Sequence, residues 1–127
     1  MAVYGGRIST EKDPEHAILT ALHMQEMRNA LNREIHRKYD IDLSFRVGIT
    51  TGTVIIGDHD GDQNISIAGE TVNLASRLQS CAPENAVVIA DVTRRLVENR
   101  ISVIDLGSKH LKGMTEPVEV YLSLIHI

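Results

Sequence analysis

Asn73 and Arg77 lie four residues apart in a segment with the pattern of a short amphipathic helix. Residues at this spacing project from the same side of a helix, and we call this pair the Asn/Arg face. The arginine guanidinium is always protonated and offers a planar fork of donors, while the asparagine amide can both donate and accept hydrogen bonds. Such a face can point into a cleft or across an interface. The alternative interpretation is an ordinary solvated helix face.

The other positions of this segment predict how the helix is held. They are apolar: Val72, Leu74, Ala75 and Leu78. Packed against a sheet, these residues would leave the Asn/Arg face free.

A longer helix is predicted from residue 14 to about residue 39. Asp13 has the position of an N-cap, and Pro14 that of the first helical residue, where its missing N–H costs nothing. Apolar residues recur at intervals of three or four: Ala17, Ala21, Met24, Met27, Leu31 and Ile35. This spacing predicts that they form a stripe on the sheet and that both methionines lie in the core.

The remaining pattern predicts a mixed sheet. Six segments have strand character: residues 1–4, 43–49, 53–56, 86–90, 101–106 and 118–122. The second and third segments are expected to form an antiparallel pair. Asp91 is expected to cap a short helix that ends at residue 97, and residues 109–112 are expected to form a lysine-bearing hairpin. Gly48, Gly52 and Gly57 lack the spacing of a Walker sequence and predict close backbone approach or tight turns. The fold class is therefore an α/β sandwich of ferredoxin-like type.

Composition narrows the functions open to the chain. Its 127 residues, 43% hydrophobic and 24% charged, suffice for one domain with a core. A net charge of −4 and an aromatic content of 3% argue against nucleic-acid binding. The sequence contains no run of about 18 apolar residues, so we expect no membrane contact from this segment. The single Cys81 excludes an internal disulfide and favours a reducing, cytoplasmic compartment, including the cytoplasmic part of a larger membrane-anchored protein.

Two groups of residues resemble metal sites without meeting their requirements. Residues 58–64 begin like a calcium loop, but Gln63 stands where the glycine of the sixth position is needed. Asp60 and Gly61 are better explained as the tip of a hairpin. His16 and His23 are about two helical turns apart, too far to chelate one ion without a third element. We predict no metal site in this chain.

The Asn/Arg segment resembles the signature of the class III nucleotidyl cyclases, the adenylate and guanylate cyclase catalytic domains. That signature reads roughly Gly-x-Thr-Val-Asn-x-Ala-x-Arg, and six residues match it in register: Gly69, Thr71, Val72, Asn73, Ala75 and Arg77. Further blocks follow in the family's order, at residues 45–54, 105–107, 110–113 and 116–118. Residues 1–5 are similar to the strand after the family's second metal-binding aspartate.

The resemblance implies the class III cyclase fold and a definite reaction. The ribose 3′-hydroxyl of a nucleoside triphosphate attacks its own α-phosphorus and expels pyrophosphate. Arg77 would stabilise charge on the phosphoryl oxygens, and Asn73 would hold the ribose for in-line attack. Lys112 matches a family lysine that contacts the terminal phosphates.

Ser66 occupies the family position that reads the purine. This position is often Asp in adenylate cyclases and Cys in guanylate cyclases. A hydroxyl can accept from the amino group of adenine or donate to the carbonyl of guanine. Because Ser or Thr also serves here in bacterial members, the resemblance favours ATP and cyclic AMP, with GTP as the alternative.

The resemblance also implies partners for this chain. The family's two metal-binding aspartates precede the position of Met1, so Mg²⁺ or Mn²⁺ would bind in the full-length parent and not in this chain. Residues 1–122 would be the C-terminal portion of a catalytic domain, inactive by itself, and residues 123–127 a tail resembling translated adapter sequence. A homodimer would share its active sites between subunits.

Three hypotheses follow. The chain is part of an active cyclase of intracellular signalling, a cyclase-like dimerisation or regulatory domain without activity, or an unrelated ferredoxin-like ligand-binding module. The intact Asn73 and Arg77 favour the first, because a silent domain has no chemical reason to keep them. The third requires four ordered motif blocks to coincide by chance.

Overall fold

The chain folds into three α-helices and six β-strands within the described residues. The computed structural model describes residues 1–5, 9–58 and 65–124, with the backbone alone at residues 56–58, 65–68 and 99. The elements are α1 (Asp13–Tyr39), β1 (Val47–Ile49), β2 (Ile55–Asp58), β3 (Ile65–Ala68), α2 (Glu70–Cys81), β4 (Val87–Ala90), α3 (Asp91–Val97), a 3₁₀ turn (Glu98–Arg100), β5 (Ser102–Lys109) and β6 (Val118–Leu124). In this described part, no helix combines the length and apolarity needed to cross a bilayer.

Four strands form a mixed sheet in the order β1-β4-β6-β5. β1 and β4 run parallel, because the chain crosses back over the sheet through α2 between them. β6 is antiparallel to both of its neighbours, and β2 and β3 form a separate antiparallel pair. This mixed sheet with packed helices confirms the predicted fold class.

Helices cover both faces of the sheet. Val87 and Ile89 of β4 lie in one apolar cluster with α1, and Val88 and Ala90 lie in a second cluster with α2. β4 is buried at every position for this reason, and it reads as an uninterrupted apolar run. The strand gives α2 a rigid surface on which to rest.

The buried face of α1 differs from the predicted stripe. The buried residues are Ile18, Ala21, Leu22 and Gln25. Met24, Met27 and Leu31 are 46%, 60% and 45% exposed, so the prediction that the methionines lie in the core is wrong. The helix is apolar on more than one side, and the sheet selects the side on which Gln25 Nε2 donates to the Phe45 carbonyl (3.3 Å).

Local features near the amino terminus also differ from expectation. Residues 1–4 form no strand within the described residues, where no neighbouring strand pairs with them. Asp13 is the first helical residue and Lys12 the N-cap. The Asp13 carboxylate instead accepts hydrogen bonds from the backbone N–H and the hydroxyl of Thr10 (2.8 and 3.1 Å).

Strand pairing corrects a further prediction. β1 and β2 do not pair with each other, because β1 pairs with β4 and β2 pairs with β3. The predicted hairpin tip at residues 60–61 lies outside the described residues. At the other end of the chain, β6 reaches Leu124, two residues beyond the boundary predicted at residue 122, and Ser123 is buried.

Candidate active site

The Asn/Arg face is carried by α2, which starts directly after β3. Gly69 joins the two elements with a φ of 133°, a conformation that side chains rarely adopt. Leu78 is fully buried in the cluster between α2 and the sheet, and Leu74 packs against the same cluster. The prediction that this side of the helix rests on the sheet is confirmed for both leucines.

α2 approaches β1 at backbone distance. A Cβ on Gly48 would lie 2.8 Å from the carbonyl oxygen of Ala75 and 2.7 Å from the Cβ of Leu78. Both distances are below van der Waals contact, so only glycine fits here, as predicted for a close backbone approach. This contact sets the height of α2, and therefore of the Asn/Arg face, above the sheet.

Both side chains of the Asn/Arg face are available to a ligand. Asn73 is exposed and Arg77 half-buried, and among the described residues neither side chain has a hydrogen-bond or ion-pair partner. Arg94 of α3, by contrast, is held by Asp91 at 3.1 Å. A guanidinium without a carboxylate partner can form charge-assisted hydrogen bonds with an anionic ligand.

Lys112 lies in the loop between β5 and β6, close to α2. Its neighbour Leu111 is 7% exposed and belongs to the same apolar cluster as Leu78. Burial raises the pKa of the Cys81 thiol at the end of α2, and the positive charge of Lys109, at the end of β5, acts on the same thiol in the opposite direction. The loop therefore runs beside the C-terminal half of α2, with the Lys112 side chain exposed.

The structure describes the backbone of Ser66 but not its side chain. The residue lies in β3 opposite Gly57, three residues before Gly69, the N-cap of α2. Its side chain is not described, so its role in reading the purine stays a prediction. The short connection nevertheless places Ser66 on the strand that leads into the Asn/Arg helix.

The Asn/Arg face is exposed at Asn73 and half-buried at Arg77. Two concavities that described residues line, of about 500 and 490 Å³, include neither of these residues. One is lined around Arg94 and Val103, the other around Asn32 and Arg33. A ligand on the Asn/Arg face would need a second surface to shield it from water.

The residues described in this structure do not fit a divalent metal. Among residues 1–5, 9–58 and 65–124, no three His, Cys, Asp or Glu side chains are grouped so that they could hold an ion. Of the residues that begin like a calcium loop, 59–64 lie outside the described residues, and only the backbone of residue 58 is described. No step of the chemistry can therefore be derived through a metal bound by the described residues.

One contact near the face was not predicted. Thr71 Oγ1 donates to the backbone carbonyl of Thr53 (2.9 Å), which links the first turn of α2 to the loop after β1. Thr71 belongs to the signature, but its spacing gives no indication of this tertiary partner. The available signal for this contact was Gly52, because a glycine there indicated that another segment approaches the backbone of this loop closely.

These features sit within a fold shared with known proteins. A family model described as the adenylate and guanylate cyclase catalytic domain matches residues 1–124. The chain belongs to that family. The hypothesis of an unrelated ligand-binding module is therefore wrong.

Individual relatives agree with this assignment. Adenylate cyclase 1 from Rhizobium meliloti (strain 1021) is 24% identical over 124 residues, which are 94% of this chain and 19% of the relative. The adenylyl cyclase CyaB from P. aeruginosa superposes with a TM-score of 0.88 at 26% identity, covering 98% of this chain and 66% of that structure. The guanylate cyclase domain of RhGC from Catenaria anguillulae, solved in complex with GTP, gives a TM-score of 0.77 at 23% identity, covering 94% and 64%.

The cyclase chain described here is short beside these proteins. It spans between 17% and 19% of the length of the curated relatives and about two thirds of the solved cyclase domains.

Proposed function

We propose that this chain supplies the substrate-binding half of an adenylate cyclase active site, which converts ATP to 3′,5′-cyclic AMP and pyrophosphate in intracellular signalling. The observation that carries the proposal is the Asn/Arg face itself. Asn73 and Arg77 project from one side of a helix seated firmly on the sheet, and among the described residues they have no partner.

Each residue of the face has a role that its chemistry suits. In the cyclisation, the ribose 3′-oxygen forms a bond to the α-phosphorus while the bond to the pyrophosphate oxygen breaks. Negative charge grows on the α-phosphoryl oxygens, where the guanidinium of Arg77 donates hydrogen bonds and stabilises it. Asn73, one turn earlier, holds the ribose in line for attack, and Lys112 neutralises the terminal phosphates as a point charge.

The second half of the site would come from elsewhere in the full-length protein. The described residues offer no carboxylate set, and cyclases of this family generally use divalent metals. When bound, Mg²⁺ or Mn²⁺ would neutralise the triphosphate and lower the pKa of the attacking hydroxyl. We propose that aspartates N-terminal to this segment hold the metal, and that a homodimer brings them opposite the Asn/Arg face of the partner. The exposure of Asn73 supports this, because a ligand on this face needs an opposing surface to shield it from water.

ATP is the proposed substrate, with GTP as the alternative. The Rhizobium meliloti relative is an adenylate cyclase by name and so is CyaB, whereas RhGC was solved with GTP. A serine at position 66 could serve either purine. The proposal follows the adenylate cyclases, and product analysis decides between the two.

The decisive experiment is a cyclase assay on the full-length protein with Mg²⁺ or Mn²⁺ and either ATP or GTP. We expect cyclic AMP from ATP, and about 10²- to 10³-fold lower turnover in Arg77→Ala, the scale of losing one preorganised charge-stabilising donor. Arg37→Ala, at an exposed arginine of α1, is the control and should keep full turnover. Cyclic GMP from GTP alone would overturn the choice of ATP.

Two other results would overturn the proposal more deeply. Unchanged turnover in a folded Arg77→Ala protein would remove Arg77 from the mechanism. No cyclic nucleotide from either substrate would favour the remaining alternative, a cyclase-like dimerisation or regulatory domain.

A further inference from the structure

The start of α2 has an unusual attachment. The N-cap residue is Gly69, which has no side chain, and no side chain caps the helix. Thr71 Oγ1 donates a hydrogen bond to the Thr53 carbonyl (2.9 Å), and in the described part of the chain this is the side-chain hydrogen bond that ties the first turn of α2 to another segment. This bond is therefore the side-chain attachment of the helix start to the loop after β1.

The loop that accepts this bond is shaped to receive it. Gly52 lies directly against Thr71, and a Cβ at position 52 would overlap the Thr71 hydroxyl oxygen. Any side chain at residue 52 would push Thr71 away from its acceptor. The glycine thus leaves room for the hydroxyl to reach the Thr53 carbonyl.

The same loop is held from its other side by α3. The hydroxyls of Thr51 and Thr93 lie 3.0 Å apart and share a hydrogen bond, and Thr93 is fully buried. The acceptor of the Thr71 bond is therefore within two residues of a point fixed in the protein interior. Thr71 thus connects α2 to a loop that is itself attached to the buried Thr93.

Thr71 does not itself belong to the Asn/Arg face. With about 3.6 residues per turn, position 71 points roughly 160° away from position 73 and roughly 120° away from position 77. Thr71 thus holds the helix from the far side. A displacement of reacting groups by about 1 Å can cost about 10²-fold in rate, so a small movement of the helix start matters for Asn73 and Arg77.

We propose that Thr71 is a positioning residue, whose hydrogen bond to the Thr53 carbonyl fixes the start of α2 and thereby the placement of Asn73 and Arg77 toward the nucleotide. This inference rests on the proposed cyclase function for its effect on catalysis. The attachment of the helix can be measured independently of any activity.

The test compares two substitutions in the full-length protein. Thr71→Val keeps the shape of the side chain and loses the donor, whereas Thr71→Ser keeps the donor. Thr20→Val makes the same change at an exposed position of α1 and serves as the control. The two readouts are kcat and KM for ATP, and hydrogen exchange at the Asn73 amide, which donates to the Gly69 carbonyl in the first turn of α2 (3.2 Å).

We expect Thr71→Val to lower kcat by about tenfold or more with a smaller change in KM, and to speed exchange at the Asn73 amide by about tenfold. Thr71→Ser should restore both, and Thr20→Val should change neither. The inference is overturned if the Asn73 amide exchanges equally in Thr71→Val and the unsubstituted protein, if kcat is unchanged, or if Thr71→Ser is as impaired as Thr71→Val. If the unsubstituted protein makes no cyclic nucleotide, the proposed function fails, and hydrogen exchange still decides whether Thr71 fixes the helix.

Discussion

Gly48 of β1 lies directly beneath the backbone nitrogen of Gln79 in α2, so that a Cβ on Gly48 would overlap that nitrogen. The nearest obstacle is main chain, which no rotamer change can move aside. The strand and the helix that carries the Asn/Arg face therefore meet at a fixed distance.

Replacing Gly48 with alanine should destabilise the protein by about 1–3 kcal/mol, the usual cost of overpacking a well-packed site. Denaturant unfolding measures this change. Shortening Leu78 in a Gly48→Ala/Leu78→Ala protein should not relieve it, because the obstacle is backbone.

Gly52→Ala provides the matched comparison, because its obstacle is the side chain of Thr71. Removing that side chain should relieve part of the cost, so that the Gly52→Ala/Thr71→Ala protein is more stable than the two single effects predict. A Gly48→Ala protein as stable as the unsubstituted one would contradict the close approach described here.

Local sequence signals placed the elements of this fold better than they placed the contacts between them. The starts of α1 and α3 fall within one residue of the predicted positions, because Pro14 and Asp91 mark the beginning of each helix. The predicted capping role of Asp13 and Asp91 is wrong, since Lys12 and Ala90 are the N-cap residues.

The face that α1 buries could not be predicted from local signals. Met24 and Leu31 fit the periodicity as well as Ile18 does, and only the sheet decides which side is covered.

In the candidate site, too, the sequence predicted local arrangement better than tertiary contacts. Asn73 and Arg77 share a helix face because of their spacing, so sequence alone predicted their arrangement. The partners of β1 and β2 were mispredicted, because strand pairing depends on residues far along the chain. The bond between Thr71 and Thr53 is a tertiary contact of this kind and has no signature in spacing.

Ser66→Ala in the full-length protein should change the ratio of kcat/KM for ATP to that for GTP, because it removes the hydroxyl proposed to contact the purine. Stability should change little. Ser76→Ala, at an exposed serine of α2, is the control. Equal ratios for Ser66→Ala and the unsubstituted protein would show that the purine is read elsewhere.

The thiol of Cys81 should react more slowly than an ordinary cysteine at neutral pH. Partial burial raises its pKa above the usual value, and this outweighs the opposing effects of a backbone hydrogen bond and of the Lys109 charge. A raised pKa leaves less thiolate at a given pH. The pH at which the rate of reaction with a thiol reagent rises should therefore be higher for the folded chain than for the chain unfolded in urea.

Lys109→Gln should move that pH profile further upward, because it removes a charge that stabilises the thiolate. Cys81 is the one cysteine of the 127-residue sequence, so the reaction reports on it alone. A profile shifted to lower pH in Lys109→Gln would contradict the placement of Lys109 beside the end of α2.

The most direct test of the shared active site mixes two full-length variants, each impaired in one half of the site. One variant carries Arg77→Ala, and the other lacks a metal-binding aspartate in the N-terminal part proposed to complete the site. A heterodimer of the two contains one site in which both halves are intact, since each subunit supplies the half that its partner lacks. Either variant alone should show only residual turnover, and the control mixture of Arg77→Ala with Asn73→Ala should gain no activity, because both defects lie in the same half. The account predicts that the first mixture regains cyclic AMP production, and no rescue despite demonstrated heterodimers would contradict it.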